Sequence, residues 1–321
     1  MSTSPQTPPA VGARFIPPPA SVVFGRQDFL SVLFRLVGME LYKLRRRVMS
    51  KVLSIIAVGA MVLVFLVILL VILANLRGSS AAGTPSTIDP LLPPTAMYVA
   101  VQVIRNLGPI LIIILVGTIV GGEYGVGTIR LLFTRGPTRT QFLLAKIGAA
   151  IFCIVSGVLV SLLIALLAGL LFNLFTGITP SFDFFNATWL GQASLYVLYA
   201  MLNLFIYAMM ALFLATVGRA TAAGVAGALA WSFLEPVVAT ILTVIGRATG
   251  GPGGDFLRAV PDYFISSSIS ALFQNLNHEL FGFNDGTSSL SDVHALLVLA
   301  VYLALFIGLA WWINERRDVT N

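Results

Sequence analysis

"GGEYGVGTIRLLFTRGPTRTQFLLAK", Gly121 to Lys146, decides how this chain is read. It separates two long apolar runs and sets Arg130, Arg135, Arg139 and Lys146 among threonines, glycines and Pro137. Its surroundings make it stand out. The 321 residues are 58% hydrophobic and only 10% charged, whereas a soluble domain carries about 25% charged residues. A chain this poor in charge cannot coat a globule with polar side chains. Runs of about 20 apolar residues then read as transmembrane helices. The sequence lacks the alternating segments of about 10 residues that an outer-membrane barrel requires.

Six apolar spans are predicted, at about 54–76, 98–120, 144–172, 195–217, 222–245 and 293–313. The fourth and fifth are divided only by Gly218–Thr221, which predicts a tight helical hairpin. Residues 1–25 are dominated by proline and small polar residues and predict a disordered tail. Residues 26–47 place Phe29, Leu33, Leu36, Leu41 and Leu44, continued by Val48, at helical spacing, with Ser31, Arg35 and Arg45 turned away. That pattern predicts an amphipathic helix in the membrane interface, ending in the basic cluster Lys43, Arg45, Arg46, Arg47 and Lys51. The first span reads as a membrane helix and not a cleaved signal, because its apolar run exceeds the usual 7 to about 15 residues.

Positive charge orients the chain. With the N-terminus inside, fifteen of the 19 Lys and Arg fall inside, Arg77, Arg247 and Arg258 fall outside, and Arg105 lies within a span. Both termini and the opening segment are therefore expected in the cytoplasm. The outside segment 246–292 carries Ile265, Ile269, Leu272, Phe273 and Leu276 on one helical face, with serines, Gln274 and Asn275 opposite. This predicts a short external helix lying on the membrane or dipping into it.

Catalytic motifs are absent from the sequence. There is no Gly-x-x-x-x-Gly-Lys-Ser/Thr phosphate loop, and the glycines of "GGEYGVG" lack dinucleotide spacing. His278 and His294 are far apart, and Cys153 is the single cysteine, so neither a metal site nor an intrachain disulfide is expected. Two ionisable residues lie inside spans, Arg105 in the second and Glu235 in the fifth. A charge in hydrocarbon costs several kcal/mol, about 3 or more, unless paired or hydrated. Arg105 can snorkel outward. Two readings stay open for Glu235. It faces a transport pathway, paired with Arg105, or it hydrogen-bonds a neighbouring helix beside the carbonyl that Pro236 frees. Asn203, with Tyr199 and Tyr207 on its face, reads as interhelical glue.

The opening segment can now be read physically. Gly117, Gly121 and Gly125, spaced by four, let the second span pack closely on another helix. Glu123 and Tyr124 then meet the cytoplasm. Thr128 can cap a short helix whose apolar face is Ile129, Leu132 and Phe133, framed by Arg130, Arg135, Arg139 and Lys146 and stopped at Gly136-Pro137. Such a face suits docking to a partner or to anionic lipid.

Glu123-Tyr124, Gly127-Thr128, Arg130, Leu131-Leu132, Pro137, Thr138-Arg139 and Lys146 resemble the cytoplasmic loop of the type-2 ATP-binding-cassette (ABC) transporter permease family. The resemblance implies an all-α membrane domain over residues 26–321, with an N-terminal elbow helix and a coupling helix between spans two and three. It implies a permease, most often an exporter, with no ATPase and no cofactor of its own. Two such permeases, identical or related, would pair with two cytoplasmic ATPase subunits that bind ATP. Glu123, Tyr124, Gly127, Thr128, Arg130, Leu132, Phe133 and Arg135 would form the coupling surface. The family pattern does not include Arg105 or Glu235. Two other readings remain: a proton-coupled secondary transporter using Glu235, and a membrane scaffold or assembly factor whose basic loop docks another protein. No feature points to nucleic acid.

Overall fold

The computed structural model describes residues 29–78, 93–125, 138–176, 185–281 and 290–316, and among them there is no strand. The helices are α1 (Phe29–Arg46), α2 (Val48–Gly78), α3 (Pro93–Gly125), α4 (Arg139–Thr176), α5 (Ala187–Gly218), α6 (Thr221–Thr249), α7 (Gly251–Ala259), α8 (Ile265–Phe281) and α9 (Asp292–Arg316). A 3-10 turn, Val260–Tyr263, joins α7 to α8. The helices α2, α3, α4, α5, α6 and α9 are long and apolar enough to cross a membrane. They match the six apolar runs of the sequence, but each helix outlasts its run because the flanking polar residues continue it.

The start of α4 shows why. Thr138 Oγ1 accepts the Gln141 backbone N–H at 3.2 Å, and Gln141 Oε1 accepts the Thr138 N–H at 3.0 Å. This reciprocal capping box satisfies two otherwise orphaned donors. It starts the helix at Arg139, ahead of the apolar run that begins near Leu144. The short helix predicted from Thr128 lies outside the described residues.

The centre of the fold is α3 and α5. Helix α3 packs on α4, α5 and α6, and α5 packs on α6, α8 and α9. The buried face of α5 is built from small and adaptable residues, including Ala200, Ala208, Met209, Met210, Ala211 and Ala215, together with Tyr196. By contrast α2, α4, α6 and α9 turn Leu, Ile, Val and Phe outward, where lipid would meet them.

Glycines set the closest approaches. A Cβ at Gly117 would come 2.7 Å from Val225 Cγ2, and one at Gly121 would run into the backbone of Thr221. The predicted small-residue contact is thus the seam between α3 and the start of α6. Gly224 continues it, because a Cβ there would sit 2.6 Å from Ala215 Cβ on α5. The predicted hairpin between α5 and α6 closes through Arg219, whose φ of 49° is the left-handed conformation common at helix C-termini.

Two helices differ from the sequence expectation in detail. On α1 the buried residues are Leu36, Glu40 and Leu44, while Phe29 and Val48, expected on the apolar face, are exposed. The face is turned because α1 docks along α4, where Val37 meets Gly148. Helix α8 packs into the bundle. Its predicted apolar face is buried against α5, α6 and α9, and Phe273 makes an edge-to-face contact with Tyr196 at 5.2 Å.

Gly121→Val should shear the α3–α6 seam and cost at least the about 1–3 kcal/mol of an overpacked core. Gly59→Val, where an added Cβ meets nothing within 4 Å, should be neutral. Thermal unfolding of the two purified variants checks the contrast.

Candidate functional site

Where α1, the end of α3 and the start of α4 converge, two acids and two lysines are locked together. Lys43 Nζ lies 2.8 Å from Glu40 Oε1 and 3.0 Å from Glu123 Oε1. Lys146 Nζ lies 2.7 Å from Glu123 Oε2 and 3.8 Å from Glu40 Oε2. Glu40, Glu123 and Lys146 are buried, and Lys43 is partly exposed. The arrangement follows from local register. Glu40 occupies the buried α1 position between Leu36 and Leu44. Glu123 stands one turn past Ile119 on α3, and Lys146 one turn past Phe142 on α4. Lys146 also bonds the Ile119 carbonyl at 3.4 Å and lies 4.6 Å from the Phe142 ring centre.

The formal charges of the four residues cancel, which is the condition for ions in a low-dielectric interior. Partial burial disfavours the charge on Lys43, but Glu40 and Glu123 outweigh it and raise its pKa above the ordinary lysine value. Its contribution is therefore complete at neutral pH and is lost only as pH rises through the elevated folded value. Arg47 adds a further tie, donating to the Thr118 carbonyl of α3 at 3.3 Å.

On the other flank Arg139 reaches α9. Its Nη1 donates to the carbonyls of Asn314 at 3.2 Å and Glu315 at 2.9 Å. Asn314 Nδ2 returns a bond to the Arg139 carbonyl at 3.0 Å, and Thr140 Oγ1 donates to Glu315 Oε1 at 2.8 Å. A guanidinium on the last carbonyls of α9 also opposes the negative end of its dipole. Residues 126–137 are thus bracketed by two anchors, Glu123 before them and Arg139 with Lys146 after them.

Of the residues expected at the docking surface, Gly127, Thr128, Arg130, Leu132, Phe133 and Arg135 lie outside the described residues. Tyr124 is half-buried against the core. Glu123, expected to meet solvent, is turned inward because two lysines hold its carboxylate. Arg139 and Lys146, expected to frame an apolar face, are likewise engaged with neighbouring helices. Glu40 escaped notice in the sequence. Its signal was a lone acid at the helical register of Leu36 and Leu44.

Arg105 and Glu235 are brought to the same helix and not to each other. Arg105 Nη2 donates to Ser270 Oγ at 2.8 Å, and its guanidinium lies 5.1 Å from the Phe273 ring centre. Glu235, which is buried, accepts the Ser266 backbone N–H at 3.0 Å. A carboxylate in the first turn of α8 meets both an orphaned donor and the positive end of the dipole. The two residues hold α8 from α3 and from α6, four residues apart along it. Among the described residues no ion pair joins them. Asn203 acts as the expected glue, donating from α5 to the Arg105 carbonyl at 3.3 Å.

Six long apolar helices, with α3 and α5 the most buried among them, define a helical multi-pass membrane protein. A family model described as "protein of unknown function (DUF2705)" matches residues 95–320, and the chain belongs to that family. The match runs from α3 through α9, so it includes Glu123 and Lys146 but not Glu40 and Lys43. No curated protein matches the chain.

Lys146→Met leaves a buried excess of negative charge and should cost about 3–5 kcal/mol. Adding Glu123→Gln restores neutrality around the Glu40–Lys43 pair, so the double variant should unfold at higher temperature than Lys146→Met alone. At α8, Glu235→Gln keeps an acceptor and should be mild. Glu235→Leu orphans the Ser266 N–H at about 1–3 kcal/mol, and hydrogen exchange across Ile265–Phe281 should accelerate.

Proposed function

We propose that this protein is the membrane permease subunit of an ATP-driven transporter of the type-2 ABC class, working as an exporter. Two copies, or one copy and a related chain, form the pathway, and two separate ATPase subunits supply the work. The N-terminus, the C-terminus and residues 126–137 face the cytoplasm, as the distribution of Lys and Arg favours. In this reading the ATPase is coupled through the stretch from about Glu123 to Arg135, and α1 is the elbow.

The observation that carries this reading is the ion cluster of Glu40, Lys43, Glu123 and Lys146. It fastens α1 to both flanks of residues 126–137. A push on that segment would therefore move α1, α3 and α4 as one body instead of bending a loose loop. In this reading Glu123 transmits the motion from inside the fold, while Arg130, Leu132, Phe133 and Arg135 touch the ATPase. Glu235 serves as the cap of α8, which argues against its use as a proton carrier.

Affinity purification from native membranes tests the proposal. An ATPase carrying a phosphate-loop motif should co-purify, and Leu132→Ala or Arg130→Ala should release it while the permease remains monodisperse. A chain that purifies without an ATPase and transports on a proton gradient would overturn it.

A further inference from the structure

Helix α2 does not close fully on α3 and α4. A cavity of about 320 Å3 lies between them, walled by Ser50, Ser54 and Met61 of α2, Ile104 and Leu111 of α3, and Gly157 of α4, among others. Its walls are thinned by small side chains. An added Cβ at Gly157 would meet nothing within 4 Å, so this glycine borders open space. Val58 and Val160, which also line the cavity, are exposed, so it is open to the surroundings.

The chemistry of the walls favours an apolar occupant. Three of the lining hydroxyls are spent within their own helices: Ser54 on the Ser50 carbonyl, Ser156 on Cys153 and Ser161 on Gly157. Apart from the Ser50 hydroxyl, what remains is mainly hydrocarbon surface. The α3 wall runs from Val103 to Leu115, about 18 Å at 1.5 Å per residue. One leaflet of a hydrocarbon core about 30 Å thick is of similar depth.

One end of this column is basic. Leu115 lies one turn from Thr118, whose carbonyl accepts from Arg47, and Lys51 is exposed on α2 between Ser50 and Ser54. Arg45 and Arg46 are exposed nearby. Glu40 and Glu123 are occupied by Lys43 and Lys146, and among the described residues no carboxylate pairs with Arg45, Arg46, Arg47 or Lys51. We infer that the groove between α2, α3 and α4 binds one anionic phospholipid, with an acyl chain along the cavity and the phosphate at Arg47 and Lys51. An apolar column of one-leaflet length with cations at a single end matches that molecule, and the unpaired positive charge favours it over a zwitterionic lipid.

The site does not depend on an ATPase partner, so it is tested on the purified full chain. After delipidation and exposure to equal phosphatidylglycerol and phosphatidylcholine, native mass spectrometry should find one phosphatidylglycerol retained per chain. Gly157→Phe, which fills the groove, and Arg47→Gln with Lys51→Gln, which neutralises its mouth, should each lower retention about tenfold. Ser54→Phe from the opposite wall should do the same, which covers a Gly157→Phe variant that fails to fold. Cys153 lines the cavity and is the single cysteine, so its alkylation by N-ethylmaleimide in nanodiscs should slow several-fold in phosphatidylglycerol relative to phosphatidylcholine. Equal retention of the two lipids, retention unaffected by the filling variants, or Cys153 protection without bound lipid (α2 closing onto α4) would overturn the inference.

Discussion

Charge neutrality inside a low-dielectric fold is the constraint on which the rest of this structure depends. Glu40, Lys43, Glu123 and Lys146 come from three helices, and none could be buried there alone. The Coulombic gain and the desolvation cost of such groups largely cancel, so the cluster adds little net stability. Its effect is on geometry. The neutral arrangement exists only when α1 lies along α4 with Glu40 inward and when α3 ends beside α4. Apolar helices slide on one another with little preference, whereas an ion cluster penalises every register but one.

The same logic operates at α8. Helices in hydrocarbon have no hydrophobic drive to associate with each other, so close packing and polar ties position them. Arg105, Glu235 and Asn203 supply those ties from α3, α6 and α5. They serve a helix whose sequence is polar on one side, which would otherwise have no reason to enter the bundle. The small-residue seams at Gly117, Gly121 and Gly224 provide the packing.

The six long helices were legible because apolar run length is a one-dimensional property. The α3–α6 seam was legible too, since glycines four apart mark a helix face whatever its partner. The partners of the charges were not. Glu123, Arg139 and Lys146 sit in a polar segment, and a polar segment in an apolar chain reads as solvent-facing. Three contacts reverse that reading, and each comes from residues distant in sequence: Lys43 is 80 positions from Glu123, and the carbonyls that Arg139 holds are 175 and 176 positions away. Of the two readings open for Glu235, the hydrogen bond to a neighbouring helix agrees with the Ser266 contact, and the pairing with Arg105 does not form. Two opposite charges in apolar spans invite pairing, but the intervening helix α8 offered each a nearer partner. The α4 start was written locally, in the Thr138-x-x-Gln141 capping box, and could have been found from sequence alone.

The central claim is that α1 is clamped to α4 by the ion cluster and moves with it. The pair Val37 and Gly148 reports this directly, because an ideal Cβ at Gly148 lies 4.0 Å from Val37 Cβ, within the span of a disulfide. In a Cys153→Ala background, Val37→Cys with Gly148→Cys should oxidise readily to an intrachain disulfide in the membrane. Adding Lys146→Met should slow that reaction several-fold. Failure of the pair to cross-link, or cross-linking indifferent to Lys146→Met, would contradict the account.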